Sequence, residues 1–297
     1  MSMIRNWAAA GMAGALLAAS GMAAQAASPE ELAMKGLGTT ENLGAVITET
    51  LRHAAMELTP AQRELALKCY RENVCETGQG DITIAYADGF GENVWRQVTK
   101  MEFIAQALTY PNVKKIIYSS AAGDASKAVS DMRAFIAQDV DVIVMFADAG
   151  AALLPTVKEA TAAGILVTVH NGTDVGGEAG VDYVTAIAEN ICKLGESFVD
   201  IIAKNAAGDP ASVVFLGGTP GNPLSATWQK CAQDVIGSQP KLKLLGTADT
   251  NWTQEGTFEA MSGFLAQNDT VDAVAYEYAD GFRGGVPDDL SSLFFEN

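Results

Sequence analysis

Between Asp88 and Arg96 the chain reads Asp-Gly-Phe-Gly-Glu-Asn-Val-Trp-Arg, which puts carboxylates, an amide, two rings and a guanidinium within nine consecutive residues. Carboxylates, amides and guanidinium groups can satisfy hydroxyls, which both donate and accept, in a fixed geometry. The faces of Phe90 and Trp95 can cover C–H surfaces. Together these groups suit a sugar or another small polar ring. Similar groups recur downstream in Ala121-Ala122-Gly123-Asp124, at Asp148, in His170-Asn171, in Thr219-Pro220-Gly221-Asn222, in Asn251-Trp252 and at Asp280. Structural roles compete with binding at several of them. Asn93 and Asp148 can simply cap helices, and Trp252 can be core. Phe90 lies in a loop between two glycines, where packing alone gives little reason for a ring. The candidate ligand-binding residues are Phe90, Asn93, Trp95, Arg96, Asp148, Asn171, Asn222, Trp252 and Asp280.

The elements that must position these residues follow from periodicity. Short β-branched runs occur at Ile82–Ala87, Lys115–Ser119, Val140–Ala147, Ile165–His170, Tyr183–Ile187, Val213–Leu216, Leu242–Gly246 and Ala273–Tyr278. Between them run helical stripes such as Val94, Val98, Met101, Ala105, Leu108 and Ile191, Leu194, Phe198, Ile202. Apolar strands alternating with amphipathic helices predict an α/β fold with parallel sheets flanked by helices. In such sheets ligands sit beyond the carboxyl ends of the strands, where the strand order reverses. The candidates follow predicted strand ends, which is why they are grouped. Upstream, Leu43, Ile47, Leu51, Ala54 and Leu58 have helical spacing, and Thr59-Pro60-Ala61-Gln62 restarts a helix with a cap, an early Pro and a Gln at the third position.

The division of the chain follows. Arg5, an apolar run from Trp7 to Ala24 and small residues at Ala24-Gln25-Ala26 predict a secretory signal over 1–26, and hence export to the periplasm. The competing reading is a membrane anchor, for which the run is short and Gly-interrupted. An N-terminal helical extension is expected over 27–80, a first α/β lobe over 81–171, a Gly-rich hinge over 172–182, a second lobe over 183–285 and an irregular tail over 286–297. Export permits disulfides. Cys69 and Cys75 are expected to pair; for Cys192 and Cys231 a bond and a buried free thiol both stay open.

Several function classes are disfavoured. A formal net charge of −17 opposes a nucleic-acid partner. Two histidines and no Cys/His cluster at metal spacing leave no zinc signature. Gly89-Phe90-Gly91-Glu92-Asn93-Val94 approximates a dinucleotide fingerprint but has Val94 at the third glycine, and Tyr118-Ser119-Ser120 lacks the ribose-binding acid. Gly217-Gly218-Thr219-Pro220-Gly221 lacks the Lys-Ser/Thr of a P-loop. No cofactor and no catalysis are expected; a Rossmann-type enzyme is the distant alternative.

The segment 131–171, DMRAFIAQDVDVIVMFADAGAALLPTVKEATAAGILVTVHN, resembles the core of periplasmic sugar-binding proteins of ABC importers, the type I solute-binding proteins of ribose and galactose type. Val140-Asp141-Val142-Ile143-Val144 and Ala163-Gly164-Ile165-Leu166-Val167 fill the family's two strand motifs, with Leu166 in place of the usual Pro. Val271–Gly285 resembles a second-lobe element that carries a binding Asp. The resemblance spans Asp81 to Gly285. It implies two Rossmann-like lobes closing on one sugar or polyol, and delivery to the membrane permease of an ABC importer; a monomer is expected. It implies that Phe90 stacks on the ligand, that Asp148 and Asn171 are polar contacts of the first lobe and that Asp280 is the second-lobe acid. A sensory binding protein is the alternative role. The residues before Asp81 and the ending after Gly285 depart from the family pattern, and the ending is expected to mark a truncated product.

Overall fold

Ser28 and Thr59 each begin a helix with a reciprocal cap. The computed structural model describes residues 27–41, 43–91, 93–170 and 174–282. Ser28 accepts from the Glu31 N–H while Glu31 accepts from the Ser28 N–H, starting α1 (Pro29–Leu37). Thr59 and Gln62 do the same for α3 (Pro60–Arg71), as the spacing predicts. Between them lies α2 (Ala45–Ala54), whose apolar stripe has no buried residue. The chain forms two compact units, one ending at Glu57 and the other beginning at Leu58. Helices α1 and α2 belong to the first unit.

The second unit opens with α3 and a three-residue strand, β1 (Val74–Glu76), followed by β2 (Ile82–Asp88), α4 (Val94–Ala107), β3 (Val113–Ser120), α5 (Ala125–Ala137), β4 (Val142–Phe146), α6 (Leu154–Ala162), β5 (Leu166–His170) and β6 (Thr185–Ile187). These strands make one sheet in the order β1-β3-β2-β4-β5-β6, parallel except for β1. Ile84 and Ile116 pack on one face with α3 and α4, whereas Ala85 and Ile117 pack on the other with α5 and α6. Successive residues thus enter different cores, which explains why the strands read as continuous apolar runs.

The second lobe repeats the plan. Helix α7 (Ile191–Asn205) leads to β7 (Ala211–Gly217), α8 (Pro223–Ile236), β8 (Leu242–Asp249), α9 (Gln254–Gln267) and β9 (Ala273–Tyr276). The parallel order is β8-β7-β9. Val213 and Phe215 face α7 and α8, while Val214 and Leu216 face Met261 of α9. In both sheets the chain pairs one side of a central strand and then crosses to the other. The switch points are therefore β2/β4 and β7/β9. Among the described residues no helix is long and apolar enough to cross a membrane.

Two expected boundaries differ. The sequence places residues 183–187 in the second lobe after a hinge at 172–182, but β6 pairs in parallel with β5 at the edge of the first sheet. The glycines obscured the anchors in this stretch. Val175 and Tyr183 are buried in the first core, Lys158 pairs with Asp182 at 3.2 Å and the Thr161 hydroxyl donates to the Asp182 carbonyl. The chain passes to the second lobe after Ile187 instead. The helical extension expected over 27–80 is also divided, since α3 and Cys75 of β1 belong to the first-lobe core. The expected signal over 1–26 and the tail over 286–297 lie outside the described residues.

Cys69 and Cys75 form the expected disulfide, and Cys192 is bonded to Cys231, joining α7 to α8. Both sulfurs of the first bond are buried, and it closes a short loop that holds β1 against α3. Replacing both with Ala (Cys69→Ala, Cys75→Ala) is expected to lower unfolding stability by about 2 kcal/mol. Urea denaturation checks this, and an unchanged midpoint would refute the role.

Candidate functional site

Asn93 supplies the first fixed point. Its side-chain oxygen accepts from the Arg96 N–H at 3.0 Å and caps α4. The first turn of α4 thus starts beside the carboxyl end of β2, and Arg96 lies back over that end. Its guanidinium donates to Asp88 Oδ1 at 3.0 Å and to both oxygens of Asp148 at 2.8 and 2.9 Å. Asp88 ends β2 and Asp148 follows β4, so this one cation spans the switch point of the first sheet. The guanidinium lies 3.3 Å from the centre of the Phe146 ring, and Trp95 meets that ring edge-on at 5.8 Å. Asp88 also accepts from the Tyr118 hydroxyl at 3.0 Å and from the Phe90 N–H at 3.1 Å.

The second lobe has a matching arrangement around a different acid. Glu277 follows β9 and accepts from the Ser225 hydroxyl at 2.5 Å, from Trp228 Nε1 at 2.9 Å and from Trp252 Nε1 at 3.1 Å. Asn222 caps α8 through the N–H groups of Leu224 and Ser225. Trp252 has a left-handed backbone, with φ of 52° after Asn251 at 55°. Its ring meets Phe90 of the first lobe edge-on, with centroids 6.2 Å apart.

A cleft of about 150 Å³ lies between these groups, lined by Asn93, Trp95, Arg96, Phe146, Asp148, Glu189, Leu194, Asn222, Leu224, Trp252, Glu277 and Tyr278. A cavity of that volume elsewhere admits a benzene ring. Of the residues expected from the sequence, the structure brings Asn93, Trp95, Arg96, Asp148, Asn222 and Trp252 to one cleft, and Phe90 joins them through Trp252. Asp280 does not line it; that residue lies in a 3-10 turn, Ala279–Phe282, with the Tyr278 hydroxyl 3.4 Å away. Asn171 lies outside the described residues. Sequence reasoning missed Glu277 because it carried the last strand through Tyr278, whereas β9 ends at Tyr276. The first acid past the real strand end is Glu277. Phe146 was missed because it reads as one more apolar residue inside the strand expected over Val140–Ala147, whereas β4 ends at Phe146. Among the described residues no group of three or more His, Cys, Asp or Glu side chains could hold a metal ion.

The electrostatics follow from burial. Burial pushes Asp148 up to about 6, opposed by Arg96 and reinforced by the negative charge of Asp88. Burial likewise raises Glu277 above the usual carboxylate range. His170, whose Nε2 lies 3.1 Å from the Tyr86 hydroxyl, is pushed down to about 4 by burial and by Arg96. The two titrations oppose each other. A raised Asp148 adds stability that is full below the unfolded value of 3.8 and is lost as pH rises through 6. A depressed His170 adds stability that is full above 6.5 and is lost as pH falls through 4. Between pH 7 and 5 the contributions nearly cancel. His170→Gln is therefore expected to gain, and Asp148→Asn to lose, on the order of 1–2 kcal/mol over that interval relative to the parent chain. Denaturant midpoints at the two pH values check this, and parallel behaviour of the two variants would refute it.

Comparison with known proteins bears on the same region. The family described as periplasmic binding protein domain matches residues 85–287. The galactofuranose-binding protein YtfQ of Escherichia coli (strain K12) is 23% identical over 202 residues, 67% of this chain. The match spans only 61% of that relative's length. A Mycobacterium smegmatis protein solved in complex with β-D-fucofuranose superposes with a TM-score of 0.61 at 24% identity, covering 72% of this chain and 70% of that one. An ABC transporter periplasmic solute-binding protein of Actinobacillus succinogenes with bound D-allose gives 0.62 at 18% identity, covering 72% and 74%. These likenesses establish a shared fold of two parallel-sheet lobes. With more than half of its length, including both switch points, matched by the family, the chain belongs to the periplasmic binding protein domain family.

Proposed function

We propose that the protein captures one small hydroxylated ring, a monosaccharide or polyol, in the cleft between its lobes and presents it to the membrane permease of an ABC importer. The observation that carries this reading is the cleft itself. It has room for a single ring, it lies at the switch points of two parallel sheets, and carboxylates and amides alternate there with the rings of Trp95, Phe146, Trp252 and Tyr278. Hydroxyls are satisfied by the polar groups and ring C–H faces by the aromatic ones. The monosaccharides named for YtfQ and the M. smegmatis and A. succinogenes proteins are of this class. The signal read in residues 1–26 supports action in the periplasm. The mechanism is closure without a chemical step: the ligand binds the open form, and the population shifts to one in which both lobes contact it. Phe90 and Trp252, one ring from each lobe, then flank the entrance. Within this reading Asp148 and Arg96 hold hydroxyls from the first lobe, Asn222 and Glu277 hold them from the second, and a monomer suffices.

Thermal unfolding of the full chain with a panel of pentoses, hexoses and polyols tests the proposal. A ligand at a hundredfold excess over its Kd stabilises by about 2.7 kcal/mol, which raises Tm by roughly 5–10 °C. No shift with any member of the panel would overturn the reading.

A further inference from the structure

The charges around the cleft do not balance. In the first lobe a single guanidinium serves two carboxylates, since Arg96 donates to both Asp88 and Asp148. Lys100 of α4 also acts on Asp88 electrostatically without pairing with it, so Asp148 depends on Arg96 alone, and Arg96 has already committed its charge. In the second lobe Glu277 accepts from neutral donors: a hydroxyl, two indole N–H groups and its own backbone N–H. No ion pair reaches Glu277 among the described residues. Its carboxylate offers about four acceptor positions, and the three side chains and its own N–H reach it without bringing any positive charge. Asp148 and Glu277 line the same cleft from opposite lobes.

A neutral hydroxyl can use these acceptors but leaves the excess charge in place. A ligand carboxylate or phosphate would meet like charge in a partly dry site, which is strongly unfavourable. A protonated amine would supply the missing positive charge and donate three hydrogen bonds, each strengthened by charge. The rings of Trp252 and Tyr278 beside Glu277 also attract a cation through their faces. Burial holds both acids above the usual carboxylate range. A cation entering the cleft reverses that shift and drives off a proton.

We propose that, among small hydroxylated rings, the cleft selects those bearing a protonated amine and rejects those bearing a carboxylate or phosphate. This inference rests on the reading of the cleft as a site for a hydroxylated ring.

The test is isothermal titration of the full chain with two matched sets at pH 7 and low salt: D-glucosamine, D-glucose and D-glucuronate, and D-galactosamine, D-galactose and D-galacturonate. In at least one set the amine is expected to bind at least tenfold tighter than its neutral parent, with no measurable binding of the acid. Titrations at pH 6 in buffers of different ionisation heat are expected to show net proton release for the amine alone. Glu277→Gln and, as a second variant retaining all of the Glu277 contacts, Asp148→Asn are each expected to reduce the amine-to-neutral ratio severalfold. Neutral rings binding as tightly as their amines, or acids binding at all, would overturn the charge selection while leaving the sugar-binding reading intact. A ratio unchanged in both variants would overturn the assignment to these carboxylates. No binding by any ring of either set would overturn the charge selection, and the thermal panel of pentoses, hexoses and polyols would then decide the sugar-binding reading.

Discussion

Arg96→Met is expected to destabilise the second unit by about 3–5 kcal/mol, the usual loss when one member of a buried ion pair is removed. The Arg96 side chain is 5% exposed and that of Asp88 is fully buried. Met fills the space over the Phe146 ring but leaves both acids without their ion-pair partner. Asp88 keeps the Tyr118 hydroxyl and the Phe90 N–H, so Asp148 suffers the larger change and is expected to protonate near neutral pH. At roughly 2–4 °C per kcal/mol, the midpoint of a thermal scan should fall by about 10 °C. Arg96→Lys should lie between the two, because an ammonium cannot reproduce the planar fork that holds both acids. Adding Asp88→Asn and Asp148→Asn to Arg96→Met should recover part of the loss, because the cost lies in unpaired buried charge. A loss below about 1 kcal/mol for Arg96→Met, or no recovery in the triple variant, would show that the pair is not load-sharing in the fold.

This cluster also shows what could be read from the sequence. The stretch Asp88 to Arg96 was legible because its logic is local: a strand end, a cap at Asn93 and a long cation in the first turn three residues later. Asp148 was legible only as a strand-end position, since nothing in the linear sequence says that Arg96 reaches it across 52 residues. The strands themselves were legible because residues facing two cores give unbroken apolar runs, as in β7. Short edge strands carry no such signal. β1 has one buried residue, Cys75, and was not foreseen, while β6 was placed in the wrong lobe because its partner β5 is specified by pairing and by the anchors Val175 and Tyr183. The choice of Asp280 over Glu277 turned on where β9 ends. Residues that touch the site through another side chain, such as Tyr86 beneath His170, leave no pattern at all.

Gly218→Ala is expected to weaken ligand binding at least a hundredfold, about 2.7 kcal/mol, through a residue it does not replace. A Cβ at Gly218 would overlap the six-membered ring of Trp252. A flexible side chain could swing away, but Trp252 is restrained at its ring and at its backbone. Its Nε1 donates to Glu277, its backbone N–H donates to the Thr250 hydroxyl and its φ lies in the left-handed region. Left-handed backbone is costly for a side chain of this size, and here the surrounding contacts over-determine it. The added methyl must therefore drive the ring out of the cleft wall. That movement removes an aromatic face from the ligand and one of three side-chain donors from the buried Glu277 carboxylate, and it separates the Trp252 ring from Phe90. A double-mutant cycle isolates the route. Trp252→Leu alone should weaken binding by a similar factor, and Gly218→Ala added to Trp252→Leu should cost little more, because the ring it displaces is already gone. Additive losses would mean that Gly218 acts through the backbone instead, for example through the carbonyl that accepts from the Thr250 and Asn251 N–H groups, and not through the Trp252 ring.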